Sequence, residues 1–549
     1  MDQRARDVIR IGEGLFGKKA SVDSLWQEIA LNFYPERADF TTKRNDGEEF
    51  ADHLFSSYPV LARRELGNML SEFLRPDKWF SIHVDDDDLD NSDEERKFLE
   101  RLTKIQWRAM NDPAAGFVTA TNQADHDIAT FGNAVIKFGV NANASALLFR
   151  NYHLRDCVWS ENEEGRVDAL WRRWCPTARQ LAAHFPDKVS PEVKRCSTKE
   201  PEKTIDCYHV VLPARSYQYK SPMGRETPYV SLYCEKESET LLEEAGLNYF
   251  CYAVPRWQTV ANSVFGTSMS TSVVLPDGRT TQVVVRTLRE AGEKHVDPPM
   301  IAVTEAIRGD MALYAGGVTT ADAEYDERLG EVLRPITRDK GAFPISFEIA
   351  AALKEDIRSG FFLDKIQLPE TNKDMTATEV RRRIQEHIRA AAPISKPLQR
   401  TYNHPLCDGV FQVLREWNAF PLSEMPDSLS EMDLDFKFRS PLDELSDQAE
   451  AETYLDVRDR ILLPVAQIDP AQLENVDWTE ATRDAMRAAG WKAKWFKPRE
   501  AVAAKTEQLT QAAAMQKGME ALGSAGAIAE QGGKGMAEVA NAEAMIDGA

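Results

Sequence analysis

The residues that come closest to a known chemical motif lie near the amino terminus. Residues 12–19, Gly-Glu-Gly-Leu-Phe-Gly-Lys-Lys, have the glycine and lysine spacing of a loop that holds nucleotide phosphates through its backbone amides. That loop ends in a Ser or Thr whose hydroxyl ligates magnesium, which Lys19 cannot do, and residues 2–11 lack the buried strand that should precede it. A turn between two helices is the favoured interpretation, and a nucleotide hydrolase is the weaker alternative.

Two charged runs are also poor candidates for binding sites. The aspartates from Asp85 to Asp88 lack the alternating acids, central glycine and distal glutamate of a calcium loop, so a solvated acidic turn is predicted. Arg381, Arg382 and Arg383 are consecutive on a predicted helix and spread around it, where acidic neighbours can pair with them.

Nucleophile and metal motifs are missing from the sequence. The nine histidines include no His-x-x-x-His pair, the seven cysteines include no Cys-x-x-Cys pair, and no Gly-x-Ser-x-Gly elbow occurs. We therefore predict no catalytic residue, no cofactor and no metal, and expect a protein that is not an enzyme.

Length and composition indicate a large folded chain. At roughly 150 residues per domain, 549 residues correspond to three or four structural units, and 43% hydrophobic with 28% charged residues is ordinary for globular proteins. Acidic residues outnumber basic ones by 88 to 67, and the net charge of −21 disfavours tight, general DNA binding. Neither a membrane-spanning segment nor a signal peptide is predicted, so we expect synthesis in a reducing cytoplasm.

The elements that must position any site begin with a helical region. Apolar residues recur every three or four positions in four segments that end at Pro35, Pro76, Pro113 and Gly132. The apolar period then changes to two, which predicts an antiparallel meander or sandwich. Its predicted strands cover residues 134–138, 166–174, 205–212, 229–234 and 247–254.

Helical patterns return in the second half. Asp277 is predicted to cap a helix that reaches about His295, and a second helix covers 344–360. Thr376 and Glu379 form a capping box, and the helix that follows should kink or end at Pro393. Further helices are predicted from Pro405 and over 447–466 and 479–489, before a glycine-rich end.

The order of these elements, together with several short phrases, resembles the portal proteins of tailed bacteriophages, above all the head-to-tail connectors of podovirus-type phages. The similarity covers about residues 1–500. The phrases are Leu-Trp-Gln-Glu-Ile-Ala (25–30), Phe-Gly-Asn-Ala-Val-Ile (131–136), Tyr-Ala-Val-Pro-Arg-Trp (252–257), Val-Asp-Pro-Pro-Met (296–300) and Met-Thr-Ala-Thr-Glu-Val (375–380).

This resemblance implies a predominantly helical α+β fold with named parts. It implies an α/β wing, a helical stem that brackets a small clip, a tunnel loop, a kinked helix that returns to the wing, and a helical carboxy-terminal crown. In this numbering the wing covers 1–276, the stem helices 277–297 and 344–360, the clip 298–343, the tunnel loop 361–375, the return 376–478 and the crown 479–549.

The resemblance also implies a function and partners. A dodecameric ring at one capsid vertex of the virion would conduct double-stranded DNA during packaging and ejection. It would contact the terminase large subunit, a tail adaptor, and the major capsid and scaffolding proteins, but no membrane. Assembly would take place in the host cytoplasm.

Six residues are singled out within this scheme. Lys365, Gln367, Asn372 and Lys373 are predicted to face DNA in the tunnel loop, and Gly360 and Pro393 are predicted hinges. A different phage structural protein, such as a scaffold or tail component, is the alternative to the portal.

Overall fold

A computed structural model describes most of the chain and resolves it into a mixed α+β fold. The described residues are 3–45, 47–84, 93–217, 226–296, 300–302, 333–335, 342–366, 393–394, 396–429, 432–439, 451–468, 476–491, 495–497, 502, 504–506, 508 and 511. Among them, no helix has the length and apolar character that a bilayer crossing needs.

The amino-terminal region is helical, as its apolar period predicts. Its helices are α1 (Gln3–Phe33), α2 (Tyr58–Leu74), α3 (Asp93–Met110) and α4 (Phe117–Phe131). Gly132 ends α4 in the left-handed conformation, with φ of 71°, and its amide donates to the Ile128 carbonyl. The predicted stop at this glycine is confirmed.

A five-stranded antiparallel meander follows, in the strand order β4-β5-β6-β7-β8. Its strands are β4 (Cys157–Glu161), β5 (Val167–Trp174), β6 (Cys207–Pro213), β7 (Tyr229–Glu235) and β8 (Thr240–Leu247). Short helices α5 (Ala178–His184), α6 (Pro191–Lys199) and α7 (Ala214–Tyr217) interrupt it. The predicted meander is confirmed.

Both faces of this meander are covered. Val8 and Phe16 of α1 pack with Tyr208 and Val210 of β6, while α5 and α6 pack with Cys207 from the opposite face of the same strand. Strand side chains alternate between the two faces, so β6 is buried almost throughout. Each large apolar side chain buried there contributes about 1.5–3 kcal/mol.

Smaller sheets complete the β structure. The sheet β3-β2-β9 contains β2 (Ile136–Val140), β3 (Leu147–Asn151) and β9 (Tyr252–Ala253). The pairs β1 with β12 and β10 with β11 use β1 (Phe80–Val84), β10 (Met300–Ala302), β11 (Leu333–Pro335) and β12 (Leu434–Phe438).

The remaining helices lie in the second half of the chain. They are α8 (Thr271–Val296), α9 (Ala342–Gly360), α10 (Leu363–Ile366), α11 (His404–Glu416), α12 (Leu463–Ile468) and α13 (Trp478–Ala488). Short π-helical segments, Gln399–Asn403 and Arg458–Leu462, precede α11 and α12. The chain divides into two compact units, of which the larger comprises 1–81, 102–422 and 436–449, and the smaller the rest.

Three sequence-based expectations are wrong. Helix α8 begins at Thr271 and continues through Pro276, so Asp277 does not cap it. The predicted strand over 247–254 is replaced by the end of β8 and the two-residue β9. Residues 12–19 form no turn, because α1 runs through them without a break. The acidic run at Asp85–Asp88 and the arginines at 381–383 lie outside the described residues.

Candidate functional site at the base of the paired helices

The paired helices α8 and α9 run antiparallel and are close-packed at one end. A side-chain carbon placed on Gly360, the last residue of α9, would lie 3.1 Å from both methyl carbons of Val274, near the start of α8. The absence of a side chain at position 360 therefore lets the two backbones approach closely. We call this end the base of the paired helices.

Phe33, the last residue of α1, is wedged between the two helices at this base. Its ring centroid lies 5.5 Å from that of Phe361, and the next residue, Phe362, lies in the turn after α9 with a φ of 56°. A side-chain carbon on Gly278 would lie 2.8 Å from Cζ of Phe33. One aromatic ring thus contacts both α8 and the turn after α9.

The start of α8 is fastened to the carboxyl end of α4. The Ser268 hydroxyl donates to the Ala129 carbonyl at 2.8 Å, and the Thr271 hydroxyl donates to the Thr130 carbonyl at 2.7 Å. The last carbonyls of a helix lack internal partners, so these hydroxyls stabilise both helices where they meet.

Further along α8, Gln282 fixes a loop against the helix. Its side-chain oxygen accepts from the amides of Phe55 and Ser56 at 2.9 and 2.8 Å, and its side-chain nitrogen donates to the Ser56 carbonyl at 3.0 Å. This single amide satisfies three backbone groups of the loop that precedes α2.

An open groove of about 380 Å³ lies beside this base. Tyr58, Leu61, Ala62 and Glu65 of α2 line it together with Arg358 and Leu363. Arg358 forms a 2.8 Å ion pair with Asp364 at the rim. The groove combines apolar and charged groups.

The helix α4, whose end holds Ser268 and Thr271, also carries three consecutive polar residues that each contact a different arginine. Asp125 pairs with Arg75 in a fully buried contact. His126 lies 3.1 Å from Arg63, through its Nδ1 atom. Asp127 accepts from Arg37 at 2.7 and 3.2 Å and from Asn151 at 2.8 Å.

These contacts shift the protonation equilibria of the cluster. Burial, followed by the charge of Arg63, lowers the pKa of His126 to about 4, so this imidazole is neutral at pH 7. Burial raises the pKa of Asp125, while the nearby Arg75 opposes that rise. The arrangement is structural, because each charged group is held by a fixed partner within the helical core.

A comparison with known families shows where the chain belongs. The family model described as "Bacteriophage head to tail connecting protein" matches residues 5–496. The chain is a member of this family. The match includes both paired helices and the cluster on α4.

Two curated relatives agree with this assignment. The connector is 24% identical over 483 residues to the "Probable portal protein" of Bordetella phage BPP-1, covering 84% of this chain and 83% of the relative. It is 23% identical over 542 residues to the "Portal protein" of Salmonella phage epsilon15, covering 95% and 94%. The predicted resemblance to phage portal proteins is confirmed.

The structure describes only some of the predicted site residues of this connector. Gly360 lies in the tight contact with Val274, while the left-handed backbone conformation falls at Phe362. Lys365 lies within α10, but Gln367, Asn372 and Lys373 lie outside the described residues.

The second predicted hinge, Pro393, is helical and exposed. Its neighbour Ile394 is buried, and the Ile394 carbonyl accepts from the Trp257 indole nitrogen at 2.9 Å. This contact ties the segment to the strand-end sequence around residues 252–257.

The near-match to a phosphate loop cannot bind phosphate in this structure. Helix α1 uses its own backbone amides for internal hydrogen bonds, so residues 12–19 form no cradle. Gly12 instead makes room for Trp171, since a side-chain carbon there would lie 2.8 Å from that indole. Lys19 is buried, donates to the Leu154 carbonyl at 2.5 Å and pairs with Asp23 at 2.9 Å.

The cluster on α4 was missed by sequence analysis. The apolar period of the helix predicted its inward residues Phe117, Ala120, Ala124 and Ile128, but not the buried polar ones. The available signal was the run Asp125-His126-Asp127 within a helix that has no other charged residue, because charged residues are seldom buried without partners.

Proposed function

We propose that this chain is the subunit of a portal ring at one capsid vertex of the virion, and that the ring conducts double-stranded DNA during packaging and ejection. The ring would be dodecameric. It would dock the terminase large subunit and later a tail adaptor, and it would contact the major capsid and scaffolding proteins. Its role would be mechanical and architectural, without covalent catalysis.

The observation that carries this proposal is the contrast between the fixed base of the paired helices and their exposed apolar side chains. Val283 of α8 is 63% exposed, and Ile349 of α9 is 47% exposed. A helix pair that is fastened at its base and exposes apolar side chains gains stability by packing against sister copies. A closed ring supplies such contacts to every copy.

Charge supports a conduit that does not hold its DNA tightly. Twelve copies at −21 each would carry a formal charge of −252, and such a field repels the phosphate backbone. Lys365 and Lys373, with Gln367 and Asn372, would supply local contacts to DNA in the tunnel loop.

Negative-stain electron microscopy of the purified chain tests the ring. We expect closed rings with a central hole, and we expect Val283→Asp combined with Ile349→Asp to abolish them, because each change places a charge in the contact between copies. Val118→Asp is the matched control, since Val118 is 67% exposed on α4, away from the paired helices. Solitary subunits or filaments from the unmodified chain would contradict the proposal.

A packaging assay tests the proposed loop and hinge. Lys365→Ala combined with Lys373→Ala should slow DNA translocation, because two cationic contacts are lost. Gly360→Ala should also slow it, because the new methyl group would crowd Val274. Unchanged packaging in both variants would remove these residues from the proposal while leaving the ring intact.

A further inference from the structure

Two rows of polar side chains face each other between the three-stranded sheet and the five-stranded meander. In the smaller sheet, Lys137 of β2 is paired in register with Arg150 of β3 on one side and with Tyr252 of β9 on the other. Residues paired in this way project from the same face of an antiparallel sheet.

The meander contributes the second row. His209 of β6 is paired in register with Arg172 of β5 and with Tyr233 of β7. Each row therefore contains a basic side chain and a tyrosine, and the interior between these two sheets is polar at this position.

Direct contacts join the rows. Lys137 Nζ donates to the Tyr233 hydroxyl at 3.1 Å, and Arg172 Nε donates to the Tyr252 hydroxyl at 3.3 Å. The His209 ring stacks on Tyr233 with centroids 4.3 Å apart, and its two nitrogens meet the Tyr252 hydroxyl and, at 3.0 Å, the Ser231 hydroxyl.

The rows have more positive charge than these contacts compensate. Among the described residues, no carboxylate lies within ion-pair distance of Lys137, Arg150 or Arg172. Burial, together with Lys137 and Arg172, keeps the pKa of His209 well below its ordinary value, so the imidazole stays neutral and adds no charge. A group of cations without carboxylate partners is unusual in a chain with 88 acidic residues.

Hydrogen-bond donors are also in excess. An ammonium group has three N–H donors and a guanidinium five, and neither accepts. Lys137 uses one donor on Tyr233, and Arg172 uses its Nε donor on Tyr252. The remaining N–H donors have no protein acceptor among the described residues, and the oxygen atoms of an anion such as phosphate would accept from them.

The cluster is reachable from the surface. Arg172, His209 and Tyr252 form its buried wall, with exposures of 6%, 1% and 2%, whereas Arg150 is exposed and Lys137 is half-buried. The Tyr152 ring lies between the two arginines, with its centroid 4.3 Å from Cζ of Arg172 and 5.9 Å from Cζ of Arg150.

We propose that Lys137, Arg150 and Arg172 form a binding site for a phosphate group between the two sheets. The buried wall supplies fixed donors, and Arg150 closes the site from the solvent side. The ligand is inorganic phosphate or a phosphate of a nucleic-acid backbone, which present the same oxygen atoms. The site lies away from the paired helices and does not depend on the proposed ring.

Isothermal titration calorimetry of the full chain with inorganic phosphate, at constant ionic strength, tests this site. We expect saturable binding and a rise in melting temperature that equal concentrations of chloride do not produce. Lys137→Met and Arg150→Gln should each weaken binding about tenfold or more, as expected for the loss of a charged hydrogen bond. Arg166→Gln is the matched control, because Arg166 is a 75% exposed cation at the edge of the same meander.

Arg150→Gln keeps the test decisive even if Lys137→Met impairs folding, because Arg150 is exposed. Competition with a short DNA duplex separates the two sources of phosphate: displacement of phosphate indicates the nucleic-acid backbone, and no displacement indicates the free ion. Absence of saturable phosphate binding, or equal binding by the unmodified chain and Arg150→Gln, would overturn the proposal. Normal rings with no phosphate binding would reject this site alone.

Discussion

The helical core around α4 and the paired helices α8 and α9 differ in the side chains that they bury and expose. In the core, Arg75 and Arg37 lie against Asp125 and Asp127 of the same chain, so the buried charges are compensated internally. Along the paired helices, Val283 and Ile349 are left exposed. The charges of the core are paired within the chain, whereas the paired helices expose apolar side chains.

This difference separates the stability of a single folded chain from the stability of its assembly. Substitutions in the core should change the free energy of unfolding of a single subunit, because they leave buried groups without partners. Substitutions on exposed positions of the paired helices should change assembly instead.

Of these changes, Asp125→Ala should lower the free energy of unfolding the most. It leaves the Arg75 guanidinium buried without its carboxylate, a loss of about 3–5 kcal/mol in urea unfolding. Asp7→Ala is the control, because it removes an exposed pair with Arg10 and should cost less than about 1 kcal/mol. Similar losses in the two variants would contradict the importance of the buried pair.

The two glycines of α8 should respond in opposite directions. Gly278→Ala places a methyl group against Phe33, and the crowding outweighs the gain in helix propensity, for a net loss of about 1–2 kcal/mol. Gly292→Ala meets no atom within 4 Å and should stabilise the subunit by about 0.5–1 kcal/mol. Thermal unfolding of both variants measures this difference. Stabilisation by both would show that the Phe33 ring moves aside without a loss of stability.

Acid should destabilise the core through His126. The pKa of this imidazole is about 4 in the fold, below the ordinary 6.5, so the unfolded chain binds a proton more readily between these two values. Stability is therefore present above pH 6.5 and is lost as the pH falls towards 4, by about 1–2 kcal/mol after allowance for the partial exposure of the ring.

Urea unfolding at a series of pH values measures this slope. His126→Gln should flatten the pH dependence, whereas His53→Gln, at an exposed histidine, should leave it unchanged. An unchanged slope in His126→Gln would assign the acid sensitivity to other groups.

Val283→Asp should have the smallest effect on a single subunit. The side chain is 63% exposed, so the unfolding free energy of the subunit at high dilution should change by less than about 0.5 kcal/mol. The double variant that contains this change is expected to lose its rings. A large loss in the dissociated subunit would instead place Val283 in the subunit's own core.

The sequence predicted elements whose signals are local. Helix α4 was predicted together with its end, because its apolar period and Gly132 lie within a few residues of each other. The start of α8 was predicted incorrectly, because Asp277 is a residue type that often caps helices, whereas the helix begins at Thr271 and continues through Pro276. The two-residue strand β9 is too short to show an alternating pattern.

Contacts between distant parts of the chain were beyond sequence reasoning. Arg75 and Asp125 are separated by 50 positions, and Lys137 meets Tyr233 across 96. Nothing in their local spacing identifies them as partners. The chemistry of each residue type was visible, but the tertiary fold decided which cations found carboxylates.

The wedge formed by Phe33 has a mechanical consequence. Its ring touches Phe361 and fills the space that Gly278 leaves open, so α8 cannot slip along its axis without moving the turn after α9. A force applied at the far end of the pair would rotate both helices about Phe33. The hydrogen bonds of Ser268 and Thr271 would transmit that rotation to α4.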